Sequence, residues 1–315
     1  MKRILIAALA VAGLLFGAAE QTQAQETLVA LNTQNQIFSF QSNAPMTTTT
    51  TPMTITLGGT ALATEIVGID RRPINGLVYG VGRNGGIYTI NTATGAATLV
   101  STLVADPTDP TAPFTGLVGN SFGVDFNPVP DRLRIVSNAD QNLRVNVATG
   151  ATTTDGTLDY PVGDPNANAN PYITGAAYSN NFAGTSITTL RDVDSGLGIL
   201  AIQDPPNDGI LLTQFSLINP ATINPNLVAY DISGVTGTPY FVFTGVNATF
   251  SVLYTISAGS LTAIGQIGMG NVGLVNGLAA PVGAPVPEPM TLLLLGTGLA
   301  GVAAKVRRRR QGTDI

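Results

Sequence analysis

The chain has 315 residues and a formal net charge of −5, with no cysteine, histidine or tryptophan and with 36 glycines and 20 prolines. Without cysteine or histidine it has no thiolate or imidazole metal site and no Ser-His or Cys-His nucleophile pair, and no disulfide supports its stability. What survives is carboxylate chemistry, either a glycosidase-like pair of acids or calcium held by oxygen ligands.

The chain opens with Lys2 and Arg3, continues with an apolar run over residues 4–19, and passes through small and polar residues to Ala24. That is the layout of a secretory signal peptide, residues 1–24, cleaved after Ala24. The body that follows, residues 25–285, is long enough for one large all-β domain or two small ones. Setting aside Glu20, Glu288 and Asp314 leaves this body 16 acids; setting aside Lys2, Arg3, Lys305 and the four terminal arginines leaves it 7 bases. A surplus of 9 negative charges argues against nucleic acid or an anionic membrane surface as the main partner. No lysine falls within the body, which excludes Schiff-base and P-loop lysine chemistry.

Within the body, "GIDRRPINGLVYGVGRNGGIYTINTATGAATL" begins at Gly68 and "GVDFNPVPDRLRIVSNADQNLRVNVATGATTT" at Gly123, 55 residues later. Each reads as a Gly-x-Asp opening, a turn with proline, two alternating strands and a threonine-rich fourth strand. Leu143, Val145 and Val147 alternate with Arg144 and Asn146, the period of two expected of a half-buried strand. Weaker copies open at Gly175 and near Ala229, and a fifth opening at Gly277 lacks room for its remaining strands. The missing strands are supplied by residues 28–42, with residues 53–57 as the fourth. Four-stranded repeats of this length predict an all-β β-propeller of five blades, closed by pairing of the N- and C-terminal segments. A β-sandwich or two small barrels is the alternative.

The segments "SFGVDFNPVPDRLRIVSNADQNLRVN", "DGTLDY" and "GAAYSNNFAGTSITTLRDVDSGLGILAIQDPPNDG" resemble domain-of-unknown-function family 4394. The resemblance implies a propeller in an exported bacterial protein. No activity comes with it.

Two groups of residues are candidate ligand sites. The second unit carries Asp125, Asn127, Asp131, Arg132, Arg134, Asn138, Asn142 and Arg144; Arg132 and Arg134, two apart, share a strand face and can grip a carboxylate or sulfate. Against this stands the plainer expectation that they pair with neighbouring aspartates. The loop from Asp155 to Tyr172 offers Asp155, Asp159 and Asp164 as calcium ligands and Tyr160 and Tyr172 as platforms for a sugar ring, although such composition also suits turns alone. "DVDSG" at 192–196 has the start of a calcium loop but not its later ligands, and is expected to be a hairpin turn. The threonines at 47–51 are expected to form a solvated hairpin loop. No catalytic residue is assigned, no cofactor is expected apart from calcium at such oxygen ligands, and the metal site is left open.

The end of the chain carries Val286, Pro287, Glu288 and Pro289, then 15 uncharged residues, 290–304, then Lys305 and the cluster Arg307, Arg308, Arg309 and Arg310. As a helix, the run would reach roughly 22 Å against a bilayer core of about 30 Å. It can serve as a short transmembrane helix, with the arginines left cytoplasmic. The order of these features over residues 286–315 resembles the PEP-CTERM sorting signal. That resemblance implies transient anchoring in the inner membrane, removal by an exosortase-type processing enzyme, and a setting rich in exopolysaccharide. The expected function is a non-catalytic, surface-displayed propeller binding extracellular polysaccharide or an envelope protein. The alternatives are a structural matrix component without a specific ligand and an Asp-dependent glycan-active enzyme.

Overall fold

The computed structural model describes residues 25–284. The expected signal peptide and the sorting signal from Val286 onward lie outside the described residues.

Five mainly antiparallel sheets stand in a ring as a five-bladed β-propeller, and the 3-10 turn Pro220–Thr222 is the only helical element among the described residues. Blade 1 starts on the axis with Val275–Ala279 and continues outward through Thr27–Asn32, Gln36–Gln41 and Ala44–Thr48. Blade 2 runs Ile66–Arg71, Val78–Gly82, Gly86–Ile90 and Ala96–Thr102; blade 3 runs Phe122–Asn127, Arg132–Ser137, Asn142–Val145 and Ala151–Thr154. Blade 4 runs Ile173–Tyr178, Leu190–Asp194, Ile199–Gln203 and Leu211–Ser216, and blade 5 runs Ile223–Ile232, Pro239–Gly245, Ser251–Ser257 and Ser260–Gln266. Blade 1 thus holds both ends of the described chain, with Val29 opposite Ala279 and Ala30 opposite Leu278 in antiparallel register.

One expected strand is redistributed. Ala44–Thr48 turns straight back onto Gln36–Gln41 and takes the fourth place in blade 1, so Thr47 and Thr48 belong to the sheet and not to a free loop. Met53–Thr54 also pairs with Gln36–Gln41, but Thr56–Leu57 leaves for the outer edge of blade 2, where it pairs in parallel with Ala96–Thr102. The outer edge of one sheet is thereby covered by the chain of its neighbour, which leaves fewer unpaired edge groups.

There is no single core. Buried side chains form five clusters, one between each pair of adjacent blades; Leu28, Phe38 and Phe40 of blade 1, for instance, meet Tyr240, Val242 and Leu253 of blade 5. The strand pattern follows this arrangement: Leu143 and Val145 are fully buried in the cluster shared by blades 2 and 3, and Arg144 between them is partly exposed. Each blade is buried on both faces, so alternation in sequence separates two apolar interfaces near the axis and becomes apolar against polar only toward the rim.

Candidate functional site

The Gly-x-Asp repeat explains how five blades approach one axis. A Cβ on Gly123 would lie 2.6 Å from the backbone nitrogen of Ala176 in the next blade, and one on Gly68 would collide with Val124. Glycine is required there because the inner strands come closer than any side chain allows.

Two residues later, each aspartate reaches across to the next blade. Asp70 Oδ2 accepts the N–H of Phe126 at 2.7 Å, Asp125 Oδ1 that of Tyr178 at 3.0 Å, and Asp231 Oδ2 that of Ala280 at 2.5 Å. Oδ1 of Asp70 and of Asp231 each accept the following N–H, from Arg71 and Ile232. The corresponding positions in blades 4 and 1 are Ala177 and Ala279, so three of the five interfaces carry this link.

The three carboxylates converge, with one oxygen from each lying within 4.8 Å of the others, and all three side chains are buried. Asp125 Oδ2 has no hydrogen-bond donor in reach, and the nearness of Asp231 favours a proton on one of the two carboxyls when no cation lies between them. Burial, with the charge of Asp231 adding to it, holds Asp70 well above the ordinary carboxyl range. Burial does the same for Asp125, assisted by Asp70 and Asp231. Asp231 is pushed up to about 6 by burial, against the N–H groups of Ala280 and Ile232 that lower it. The spacing suits an oxygen-bound divalent cation as well as a shared proton. Beside the residues that precede these aspartates, the axis leaves a space of only about 10 Å³, enough for a water or an ion and too small for a sugar.

Sequence reading placed Asp125 in a different group and did not single out Asp70 or Asp231. The signal was present in the Gly-x-Asp opening of two units and its counterpart Ala229-Tyr230-Asp231 in a third, because equal positions on the inner strands of a propeller must meet.

The arginine group of blade 3 divides. Arg134 is 2% exposed and donates to Asp155 (2.6 Å), Asn142 (2.7 Å), Asn207 (2.8 Å) and Tyr178 (3.3 Å). It is a buried structural ion pair, which corrects its assignment to ligand binding: its donors are consumed by four residues from other segments of the chain. Asp155 is likewise removed from the calcium set, since it also accepts from Arg144 at 3.1 and 3.2 Å. Arg132, by contrast, donates only to the carbonyls of Pro130 and Asp131. It lines a groove of about 550 Å³ with Arg144, Asp106, Asn146 and Thr153.

In the loop after blade 3, Tyr160 is buried and donates to Asp194 Oδ2 at 2.9 Å, so it cannot stack on a sugar. Burial, then the charge of Asp194, raises its phenol above the normal value. Asp164 is engaged by Thr213 at 2.6 and 2.8 Å and by Asn166 at 2.8 Å. Tyr172 is partly exposed and donates to Asn226 at 2.7 Å. Asp159 is exposed and shares a cleft of about 380 Å³ with Asp140, Asn168 and Asn170. The three loop acids therefore do not form one site. The "DVDSG" segment is a strand end and a turn in which Asp194 Oδ1 accepts from Leu197 at 2.9 Å. Asp192 is fully buried without a hydrogen-bond donor, and burial pushes it up to about 8 although Arg134 lowers it.

Comparison with known proteins places the whole blade region in one family. The model described as Domain of unknown function (DUF4394) matches residues 36–279, and the chain belongs to that family. The PEP-CTERM protein-sorting motif matches residues 285–310, which marks the chain as exported and subject to membrane-associated sorting by an exosortase-type enzyme. Among the described residues no helix is long and apolar enough to cross a membrane. No curated protein matches the chain. Similar solved structures include a protein of unknown function from Bacteroides thetaiotaomicron VPI-5482, at 15% identity and TM-score 0.43, with 76% of this chain and 58% of that one covered. A protein from Lactobacillus plantarum matches at 14% identity and TM-score 0.38, covering 78% and 82%. A putative 6-phosphogluconolactonase from Bacteroides uniformis ATCC 8492 matches at 12% identity and TM-score 0.38, covering 78% and 83%.

Proposed function

We propose that this family member is a non-catalytic binding propeller that, once exported and sorted, holds an anionic extracellular polysaccharide in the groove beside Arg132 and Arg144. The observation that carries it is the state of Arg132: a partly exposed guanidinium with no acidic partner, set in a groove of about 550 Å³ among hydroxyl and amide side chains, where the one acid, Asp106, accepts from Thr108 and Thr153. Such a lining matches a polar chain bearing carboxylates or sulfates, and arginine can engage either in bidentate fashion. Arg144 adds the guanidinium nitrogen that Asp155 leaves unused.

Catalysis is assigned no residues. The converging carboxylates lie on the axis, each hydrogen-bonded to backbone and without room for a sugar beside them. A glycosidase needs two carboxyl groups about 5 to 10 Å apart on either side of a substrate bond. Calcium is not required for binding by this route, because the groove presents positive charge.

The test is calorimetric titration of the protein with a polyuronate, with and without calcium. Saturable binding that is lost in the double variant Arg132→Ala, Arg144→Ala and kept in Arg83→Ala is the expected result. Absence of heat under both conditions overturns the proposal in favour of an envelope protein as partner or a purely structural role.

A further inference from the structure

The innermost strands all run in one direction along the axis, so the hairpins that follow them lie on one face of the ring. In blades 2 to 5 these are residues 72–77, 128–131, 179–189 and 233–238. In the fifth place stands the chain itself, leaving Val275–Ala279 toward the sorting motif at 285–310. Two hairpins pin this exit across the face: Gly234 N donates to Pro281 O at 2.8 Å, and Gly283 N to Asn181 O at 2.9 Å. The described chain thus ends on this face, at Ala284, six residues before the apolar run begins.

That surface departs from the overall charge of the body. Of its seven arginines, Arg72, Arg83, Arg134 and Arg144 make ion pairs. The three without one among the described residues, Arg71, Arg132 and Arg191, all border the exit face. Arg132 begins the second strand of blade 3 and Arg191 lines a cleft with Ser179, Asn180 and Gly237 of the hairpins; Arg71, which ends the inner strand of blade 2, is largely buried, donates to Gly76 O at 3.2 Å and lies near the charges of Asp70 and Asp231. The one acid within these hairpins, Asp131, is taken by Arg72. The opposite face carries Glu65, Asp140 and Asp159 beside its loops.

Each hairpin also presents an exposed aliphatic side chain: Ile74 and Leu77, Val129, Ile187 (71% exposed) and Val235. Exposed apolar residues occur on the other face too, among them Val118, Val162 and Met269. The exit face is singled out by the conjunction of aliphatic tips, unpaired arginines and the departure of the tail.

We propose that the exit face is a lipid-docking surface: while the tail is in the membrane, the propeller lies on it against an anionic phospholipid leaflet, aliphatic tips toward the interface and Arg132 and Arg191 toward the headgroups. Between Ala284 and Met290 the chain can span at most roughly 20 Å, so the face is held within reach of the bilayer. Basic residues beside aliphatic ones are the combination that interfacial binding uses. Whole-chain charge argues against an anionic membrane, but docking depends on the charge of the face presented. This surface shares Arg132 with the polysaccharide groove, whereas Arg191 and the aliphatic tips belong to it alone.

The test uses the full chain, tail included, reconstituted into phosphatidylcholine vesicles with or without phosphatidylglycerol. The chain has no cysteine, so single fluorophores can be placed by Ile187→Cys and Val235→Cys on the exit face and by Val162→Cys on the opposite one. With a quencher on the lipid headgroups, the exit-face labels are expected to be quenched more strongly when phosphatidylglycerol is present, and the effect to fade at high salt. Val162→Cys is expected to respond to neither. Each arginine at an anionic leaflet is worth roughly a five-fold gain in docking, so Arg191→Glu should lower the ratio of docked to undocked protein at least about that much. Equal quenching in both lipids, equal response of the two faces, or failure of the full chain to associate with phosphatidylglycerol vesicles would overturn the proposal. Because Arg191→Glu spares Arg132 and Arg144, its effect is separate from loss of polysaccharide binding.

Discussion

Asp70, Asp125 and Asp231 are separated by 55 and 106 residues and meet on the axis, whereas Asp155, Asp159 and Asp164 lie within ten residues of one another and share nothing. The first group is brought together by symmetry: equal positions on parallel inner strands converge wherever the ring is narrow. The second is dispersed by the turns between its members, so each acid answers to a different neighbour: Asp155 to two arginines, Asp164 to Thr213, and Asp159 to solvent. Nearness in sequence is a poor guide to a shared site in a propeller, and equivalence of repeat position is a good one.

The largest expected effect separates a structural ion pair from a ligand site. Asp155→Ala leaves the Arg134 guanidinium buried without its counter-charge, and should cost about 3 to 5 kcal/mol in urea unfolding. If Asp155 were instead a surface calcium ligand, the variant would unfold like the parent in the presence of a chelator.

Next in size, Asp231→Ala removes the acceptor for the N–H groups of Ala280 and Ile232 and should cost roughly 2 kcal/mol. The same change at the Asp164 side chain, which is tied to one strand near the surface, should cost about 1 kcal/mol. A reversed order would mean that the axial group contributes less than the loop.

The two groups also differ in their response to pH. A carboxyl whose pKa is raised on folding holds its proton more tightly in the native state than in the unfolded one. Its favourable contribution is complete below the unfolded value near 4 and is lost as pH climbs through the folded value. Asp231 at about 6 and Asp192 at about 8, with Asp70 and Asp125 also raised, set that loss between roughly pH 4 and pH 8. Stability in urea should therefore rise as pH falls from 8 to 5, each group contributing about 1.4 kcal/mol for every tenfold gain in proton affinity on folding. Asp125→Asn should flatten this slope and leave the protein no less stable at pH 8, since it relieves repulsion while Oδ1 keeps its contact with Tyr178. A slope unchanged by the substitution would remove the axial group as its source.

The smallest effect is expected at Asp159. Its backbone pairs with Gly209 and Leu211, but its side chain is exposed and bonded to nothing, so Asp159→Asn should alter stability by less than about 0.5 kcal/mol.

The fold was legible because its determinants recur: four strands per unit, a Gly-x-Asp opening, and an incomplete last unit whose strands lie near the start of the body. Leu143, Val145 and Val147 read as buried, and they are. The exchange of Thr56–Leu57 into blade 2 was not legible, since a two-residue strand leaves no pattern and its partner is chosen by where the edge lies open. Arg132 and Arg134 have the same type, the same strand and the same facing, yet one borders a groove and the other is buried. Their difference comes from the segment carrying Asn207, more than seventy residues away, which folds over the second and not the first.

By itself the sequence determined the architecture, the sorting tail and the absence of thiol, imidazole and lysine chemistry from the body, because repeats, apolar runs and missing residue types are properties of the chain. Only the tertiary structure decided which acids face one another, which arginines remain unpaired and that those arginines border the face from which the tail departs. Charge and proximity act through space, and in a ring of blades the distance between two side chains is set by their height on the axis and the packing between blades, which no local stretch of sequence contains.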